Sequence, residues 1–367
     1  MRVLIDARLF GPKHTGIGRY SQNLVNNLVK LAPQHQFILI THDSAQTQSQ
    51  KNLSVIKTKI GHYGFSEQLK LIQLINSQKP DLVHFTHFNH PIFYNKPFVV
   101  TIHDLIKSEF KDFSASTRTR VIYELKHFVY QKVINHAINK SISVITPSNY
   151  SKTRILSAYP ACSSQKITAI YEGADQFENI RVKKMFDYKK YSIKDNYCLY
   201  IGNSYPYKNL TLAVEAIKKI PELQFVIVSK FNKNLNDIKN LTNGSKQFVF
   251  LENLDDAEIA SLYQGSMFFL FPSKSEGFGV PGLEAMAMKT PVVCSDAGPL
   301  PEIYGDAAIY FNPESVDDLE EKIRFLLKNY KKEKNRLIDL GTKQLKKYSW
   351  RKTAEQTLII YENSINI

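Results

Sequence analysis

The chain alternates short runs of large apolar residues with longer segments whose apolar side chains recur at helical spacing, in two series with a charged, irregular stretch between them. In the first series RVLIDA, QFILIT, SVIKT, DLVHFT and FVVTI read as strands. GIGRYSQNLVNNLVKL, with apolar Ile17, Tyr20, Leu24, Leu28 and Leu31, reads as a helix, as does EQLKLIQLI. A long helical stretch, STRTRVIYELKHFVYQKVINHAINK, precedes SVITP and KITAIY. The second series runs YCLYIGN, the helix NLTLAVEAIKKI, QFVIVS, a helix near LNDIKNL, QFVFLE and MFFLF. Near-continuous apolar runs fit strands covered on both faces, and strand-helix alternation is how parallel sheets acquire that cover. The pattern predicts an α/β chain. At 367 residues it is long for a single core, so two domains are expected. The break RVKKMFDYKKYSIKDN is read as the linker, over 179–195, between domains at 1–178 and 196–347. An amphipathic closing segment, WRKTAEQTLIIYENSINI, runs from Trp350 to Ile367 in a final region read as 348–367.

Bulk properties exclude several classes. No run approaches the roughly 18–20 apolar residues that a bilayer crossing needs, and MRVLIDARLFG enters a strand at once, with Asp6 inside it. Neither a signal peptide nor a membrane span is expected, and the compartment is read as cytoplasmic, with the inner face of the membrane as a peripheral location. Cys162, Cys198 and Cys294 are far apart and form no CxxC pair, against both a disulfide framework and a zinc site. The net charge of +14 is uneven. Residues 1–180 hold 21 Lys+Arg against 11 Asp+Glu, and residues 181–367 hold 27 against 23, so +10 lies in the first half. A basic surface attracts nucleic acid, anionic lipid or anionic substrate with little discrimination. RNP-like aromatic motifs and zinc-finger spacings are absent, which argues against nucleic acid. Arg118, Arg120, Lys126 and Lys132 interleave with Tyr123, Phe128 and Tyr130 in the long helix, a pattern that suits an anionic membrane surface or a solvated helix face.

The segment with most chemical content is SEGFGVPGLEAMAM, which follows the strand MFFLF and its terminating Pro272. Gly277 and Gly279 permit a tight turn and close backbone approach, and Pro281 suits the first turn of a helix. The unpaired amides of that helix start, with the positive end of its dipole, favour a phosphate. Glu276 on the loop lies beside such an anion, and Glu284, about one turn into the helix, is placed to accept hydrogen bonds from a polyol such as ribose. Acidic residues near a helix start also serve simply to complement the dipole.

The stretch resembles the E-x7-E signature of retaining glycosyltransferases of the GT-B fold, family 4, and the likeness continues through PVVCSDAGPLPEIYGDAAIYFNP. The resemblance implies two Rossmann-like doubly wound parallel-sheet domains facing across a cleft, the first binding the acceptor and the second a nucleotide-sugar donor. The last helix is expected to cross back to the first domain. Glu276 is implied to contact the transferred sugar, the backbone at Gly277, Phe278, Gly279 and Val280 to hold sugar hydroxyls and phosphate, and Glu284 to hold the ribose. Where relatives carry a small residue, often Gly, this chain has Lys289, read as helix-end structure. NSYPYKNL resembles the family's basic-Lys-Asn segment, with Lys208 in the place of the lysine that binds the donor diphosphate and Asn209 after it. Many relatives have Arg where Tyr207 stands, and some have a second basic residue at Asn203. Lys274 is a candidate for the missing charge.

In parallel sheets ligands lie beyond the carboxyl ends of strands, which directs attention to several other residues. In HTGIGRYS, Gly16 and Gly18 suggest a dinucleotide fingerprint, but Ser21 stands where the third glycine is needed. The family reading makes this a glycine-containing loop that lets the backbone approach donor phosphate and acceptor. His103, directly after FVVTI, is implied to touch the donor sugar. Ser148 and Ser151 resemble a family serine pair, although helix capping explains Ser148 as well. His84, His87 and His90 have suggestive spacing, but no Cys or carboxylate joins them, and no Asp-x-Asp occurs, so no metal and no resident cofactor are expected. The reading is a metal-independent retaining hexosyltransferase of bacterial surface-polysaccharide assembly, mannosyl- or rhamnosyltransferase-like, with GDP-mannose as first donor and a glycan or lipid-linked acceptor. Alternatives are a GT-B epimerase or phosphorylase, and a non-catalytic basic protein of membrane surfaces.

Overall fold

The structure, a computed structural model, describes residues 1–11, 15–42, 50–110, 120–175 and 186–365. The chain divides into two compact units, one of Met1–Glu109, Arg118–Gly173 and Ser349–Ile367, the other built mainly on Ala174–Tyr348.

The first unit holds β1 (Arg2–Asp6), β2 (Gln36–Thr41), β3 (Leu53–Lys57), β4 (Leu82–Phe85), β5 (Phe98–Thr101), β6 (Ser143–Thr146) and β7 (Ile167–Ala169). They form one sheet in the order β3-β2-β1-β4-β5-β6-β7, every pairing parallel. Alternate residues of each strand feed two separate cores, which is why the strand runs are apolar throughout rather than alternating. Leu4, Val83, Phe85 and Val100 pack with Ile75 of one helix and with Val133, Ile134 and Ile138 of the helix Arg120–Lys140. Val3, Ile5, Leu82 and Val99 pack on the other face with Leu24 and Leu28 of Thr15–Leu31 and with Trp350, Ala354 and Tyr361 of Trp350–Ile365.

The second unit holds β8 (Tyr197–Ile201), β9 (Gln224–Val228), β10 (Phe248–Leu251), β11 (Phe268–Phe271), β12 (Val292–Ser295) and β13 (Ala308–Phe311). Its sheet, also all parallel, has the order β10-β9-β8-β11-β12-β13. Both sheets therefore reverse their winding beside their first strand, at β1/β4 and at β8/β11. At such a switch point the chain leaves neighbouring strands in opposite directions and a crevice opens beyond their carboxyl ends. Both are doubly wound α/β sheets.

Some elements differ from the sequence reading. The helix Asp256–Gly265 was passed over although Asp255-x-x-Glu258 forms a complete capping box: Asp255 Oδ1 accepts the Glu258 amide at 2.8 Å, and Glu258 Oε2 accepts that of Asp255 at 2.9 Å. The segment after the E-x7-E stretch supplies β12, β13 and the short helix Leu300–Tyr304, in addition to Val316–Lys328 and Tyr330–Leu345. Of the linker read over 179–195, residues 179–185 lie outside the described residues, and 186–195 contain neither helix nor strand. The first long helix begins at Thr15, so Gly16 and Gly18 occupy its first turn rather than a preceding loop.

Lys289, two residues past the helix Val280–Ala287, is exposed and adopts φ 59°, with its amide bonded to the Met286 carbonyl at 3.0 Å. This is the left-handed residue that closes a helix, a place where glycine avoids a Cβ clash costing roughly 1–2 kcal/mol. Lys289→Gly should therefore raise the unfolding free energy by about 1 kcal/mol. A denaturant midpoint that fails to rise at unchanged slope would show that the lysine carries no such strain.

Candidate active site

At the second switch point, the turn after β8 and the loop after β11 are tied backbone to backbone, the Lys274 amide donating to the Tyr207 carbonyl at 2.7 Å. Lys208 ends the tight helical turn Pro206–Lys208. Asn209 follows in the left-handed conformation, and its side-chain amide donates to the Pro313 carbonyl at 2.8 Å, so Asn209 holds the loop after β13 in place. The result is a Lys208 Nζ lying 2.5 Å from Glu276 Oε1, with both side chains close to nine-tenths buried. The ammonium also stands 5.4 Å from the centroids of the Tyr207 and Phe271 rings, whose faces favour a cation. Lys208 has three donors in a position of reduced dielectric, which suits an anion that develops charge there.

The helix Val280–Ala287 begins beside this pair. Gly279, its cap, has φ 107°, and Tyr304 donates its hydroxyl to the Gly279 carbonyl. Gly282 is required for a different reason: a Cβ there would lie 2.3 Å from Tyr304 Cζ. The fully buried tyrosine thus occupies the space of two missing side chains and draws the helix start inward. Phe278 is buried edge-on to Tyr348, so its ring is part of the core and its backbone is what can face a ligand. Glu284 is buried and accepts the Tyr263 hydroxyl at 3.2 Å, which orients its carboxylate. Tyr263 comes from the helix that the sequence reading passed over; the tyrosine alone carries no local signal for this role. Lys274 pairs with Glu314 at 2.8 Å, and among the described contacts it does not join Lys208. Asn203 serves its own turn, Oδ1 accepting the Tyr205 amide at 3.3 Å.

In the first unit, polar groups gather at the same edge of the sheet. Arg8, after β1, is 1 % exposed and bonds Asp6 at 2.9 Å, Glu67 at 2.5 Å and the Gly61 carbonyl at 3.1 Å. Glu67, fully buried, also accepts from Asn89 at 2.7 Å and from the Tyr63 amide at 2.8 Å. His103, after β5, faces the Thr86 carbonyl through Nε2 at 3.0 Å and Glu172 through Nδ1 at 3.5 Å. Ser151 donates to the His103 carbonyl at 3.2 Å. Ser148 is fully buried and caps the helix Asn149–Ala158, accepting the Ser151 amide at 3.0 Å. Gly18 accepts the Gly11 amide at 3.0 Å, while a Cβ on Gly16 would meet open space.

Residues 14–176 match the family described as Glycosyltransferase Family 4, and residues 183–344 match Glycosyl transferases group 1. The chain belongs to the GT-B glycosyltransferases. Over 95 % of its length this glycosyltransferase is 25 % identical to the O-antigen chain mannosyltransferase B of Escherichia coli, covering 96 % of that protein. It is 26 % identical to the O-antigen chain mannosyltransferase RfbU of Salmonella typhimurium over 71 % of its own length and 69 % of the other. The fold is similar to that of Anabaena HepE, solved in complex with UDP and glucose, with a TM-score of 0.75 at 16 % identity and 99 % and 100 % coverage. WaaG, a glycosyltransferase involved in lipopolysaccharide biosynthesis, gives 0.71 at 14 % identity and 98 % and 99 % coverage.

The three histidines of VHFTHFNHP point to separate partners in the glycosyltransferase. His84 bonds the Tyr361 hydroxyl at 2.5 Å and Thr101 at 2.8 Å, His87 accepts the Asn89 amide at 3.3 Å, and His90 bonds His136 at 2.8 Å and the Phe88 carbonyl at 3.0 Å. Burial, with the charge of His103 adding to it, lowers His84 to about 3, and burial lowers His90 to about 4 against the opposing Phe88 carbonyl. Below pH 6.5 the unfolded chain protonates these rings and the folded chain does not, so stability falls as pH drops from 6.5 toward 4. The two histidines together should cost about 3 kcal/mol between pH 6.5 and pH 5. His90→Asn should remove about half of that dependence, read as a flatter decline of the thermal midpoint; an unchanged decline would place the acid sensitivity elsewhere.

Proposed function

We propose that the chain is a retaining, metal-independent hexosyltransferase that moves mannose from GDP-mannose to a glycan or lipid-linked acceptor in cell-envelope polysaccharide assembly. The observation that carries this reading is Lys208 Nζ beside Glu276 Oε1 at the switch point of the second sheet, next to the start of Val280–Ala287. A departing nucleoside diphosphate needs charge neutralisation in a preorganised, partly dry place, and a buried lysine with helix-start amides supplies it without a metal. Lys208 takes the diphosphate, Glu276 orients the sugar hydroxyls, and Glu284, aimed by Tyr263, accepts from the ribose. Transfer breaks the bond from the anomeric carbon to phosphate oxygen and forms the bond to the acceptor oxygen on the same face. The leaving phosphate oxygen receives the acceptor's proton, so no separate base is required. His103, from the first unit, is read as a donor-sugar contact; with both ring nitrogens engaged by Thr86 and Glu172, what it offers is the charge of its ring edge rather than a free N–H. Mannose is favoured because O-antigen mannosyltransferases of Escherichia coli and Salmonella typhimurium are among the relatives.

Breaking a buried ion pair destabilises, so near-isosteric variants are the informative ones. Lys208→Met and Glu276→Gln should each lower kcat by about 10²–10³-fold, with the unfolding transition retained, in an assay that continues in EDTA. Calorimetry should show GDP binding more tightly than UDP or dTDP, and Lys208→Met weakening it. Full activity in either variant would remove the assignment of this pair, and preference for another nucleotide would remove GDP-mannose.

An anionic membrane surface is the proposed partner of the first unit. Leu125, Phe128 and Val129 on the helix Arg120–Lys140 are 63 %, 55 % and 48 % exposed, three apolar side chains at i, i+3 and i+4 beside Lys126 and Lys132. Arg118 lies outside the described residues. An apolar strip among cations fits an interface that offers both acyl chains and anionic headgroups, and the +10 excess of residues 1–180 adds long-range attraction. Sedimentation with vesicles containing anionic lipid should carry the protein down, less so at high salt, and Phe128→Ser should weaken it. Equal binding to neutral vesicles, or none to either, would discard the membrane surface.

A further inference from the structure

His103 is held by acceptors on both ring nitrogens. Nε2 is 3.0 Å from the Thr86 carbonyl, and Nδ1 is 3.5 Å from Glu172 Oε1, with the two side chains about nine-tenths buried. A carbonyl and a carboxylate can only accept, so the ring that satisfies both is the doubly protonated one. The edge-on Tyr20 ring, its centroid 4.8 Å away at 88°, fixes the plane of the imidazole.

Glu172 is itself held from both sides. The preceding residue, Tyr171, offers its carbonyl to the Thr353 hydroxyl at 2.8 Å. The following residue, Gly173, runs so close to the last helix that a Cβ would lie 2.3 Å from the Trp350 amide nitrogen. Trp350 and Thr353 open the helix Trp350–Ile365, whose body is anchored in the same unit by Tyr361 on His84. These contacts fix the backbone on either side of Glu172, and burial confines its side chain beside the ring.

We propose that Glu172 is a positioning residue for glycosyl transfer, holding His103 as an imidazolium of fixed orientation, and that the start of the last helix sets where Glu172 stands. The role rests on the reading of His103 as a donor-site residue. A ring held in its cationic form keeps a positive edge to higher pH than a histidine without the carboxylate does. Burial lowers the affinity of His103 for its second proton, but the hydrogen bond and charge of Glu172, the Thr86 carbonyl and Asp104 outweigh it and raise the value above the ordinary one. The other titratable groups placed against the ring among the described residues are neutral: Tyr20 from the first helix, raised by burial, and His84 from β4, lowered by burial.

The test joins a titration to a rate profile. Histidine-labelled protein is followed by nitrogen-15 spectra, the His103 signal being assigned by its loss in His103→Gln. In the wild type the ring should stay doubly protonated above the ordinary histidine range, and Glu172→Gln should move its titration to lower pH. In the same variant kcat at pH 8 should fall about tenfold while kcat at pH 6 changes less than about twofold, with KM little altered and Glu172→Asp restoring part of the loss. A wild-type ring that titrates as an ordinary histidine overturns the ion pair, and this measurement needs no variant of Glu172 to fold. A ring that responds to Glu172 beside an unchanged rate profile overturns the positioning role and locates the failure in the placing of His103 at the donor site.

Discussion

Strands covered on both faces leave charge nowhere to go but their ends. In each unit the sheet is parallel, its residues feed cores above and below, and polar groups collect where the chain leaves the carboxyl edge. Burying an unpaired charge between the layers would cost several kcal/mol, and at the edge the same group finds loop amides, carbonyls and partners from neighbouring strands. The switch points add geometry, because the chain leaves neighbouring strands in opposite directions there, and in the second unit the two loops are tied by the Lys274 amide on the Tyr207 carbonyl. Lys208 and Glu276, which are far apart in sequence, meet at that place because β8 and β11 are neighbours in the sheet.

The two buried arginine or lysine clusters show how the same edge serves two ends. Arg8 directs its guanidinium to Asp6, Glu67 and two loop carbonyls, and its side chain has no exposed surface. A planar fork filled in this way fixes the loops after β1 and β3 and leaves no donor for a ligand. Lys208 presents a compact ammonium to one carboxylate and two ring faces, and a tenth of its side chain remains accessible. The first arrangement is a structural clamp, and the second can exchange its partner.

The strand-helix alternation, both sheets and the helix start at Pro281 were legible because each is written in local periodicity and in residues with restricted backbone angles. The capping box of Asp255 and Glu258 was equally local and could have been read. Gly16 and Gly18 fit both the helix GIGRYSQNLVNNLVKL and a glycine loop ahead of it, and Thr15–Leu31 takes both into a first turn whose amides are unpaired in any case. The contacts that build the candidate site were of another kind. Tyr263 on Glu284, Tyr304 under Gly279 and Gly282, and Glu172 on His103 join segments whose adjacency is decided by strand order, and no spacing along the chain encodes them. Ser148, which has two explanations in the sequence, makes the cap contact that one of them expects, its hydroxyl bonding Ser151.

The charge balance of the second unit bears on how an anion could be held there. Its two lysines beside the motif are each matched by a carboxylate, Lys208 by Glu276 and Lys274 by Glu314. Two such pairs carry no net charge, so in the proposed reading the amides and dipole of Val280–Ala287 add to what Lys208 offers a diphosphate. What the lysine contributes depends on what becomes of Glu276. If the carboxylate turns to a sugar hydroxyl as the diphosphate arrives, the ammonium changes one anionic partner for another without ever being left bare in a buried place. Binding of sugar and of phosphate are then coupled through a single ion pair, and a nucleotide without its sugar meets a lysine that is still partly neutralised.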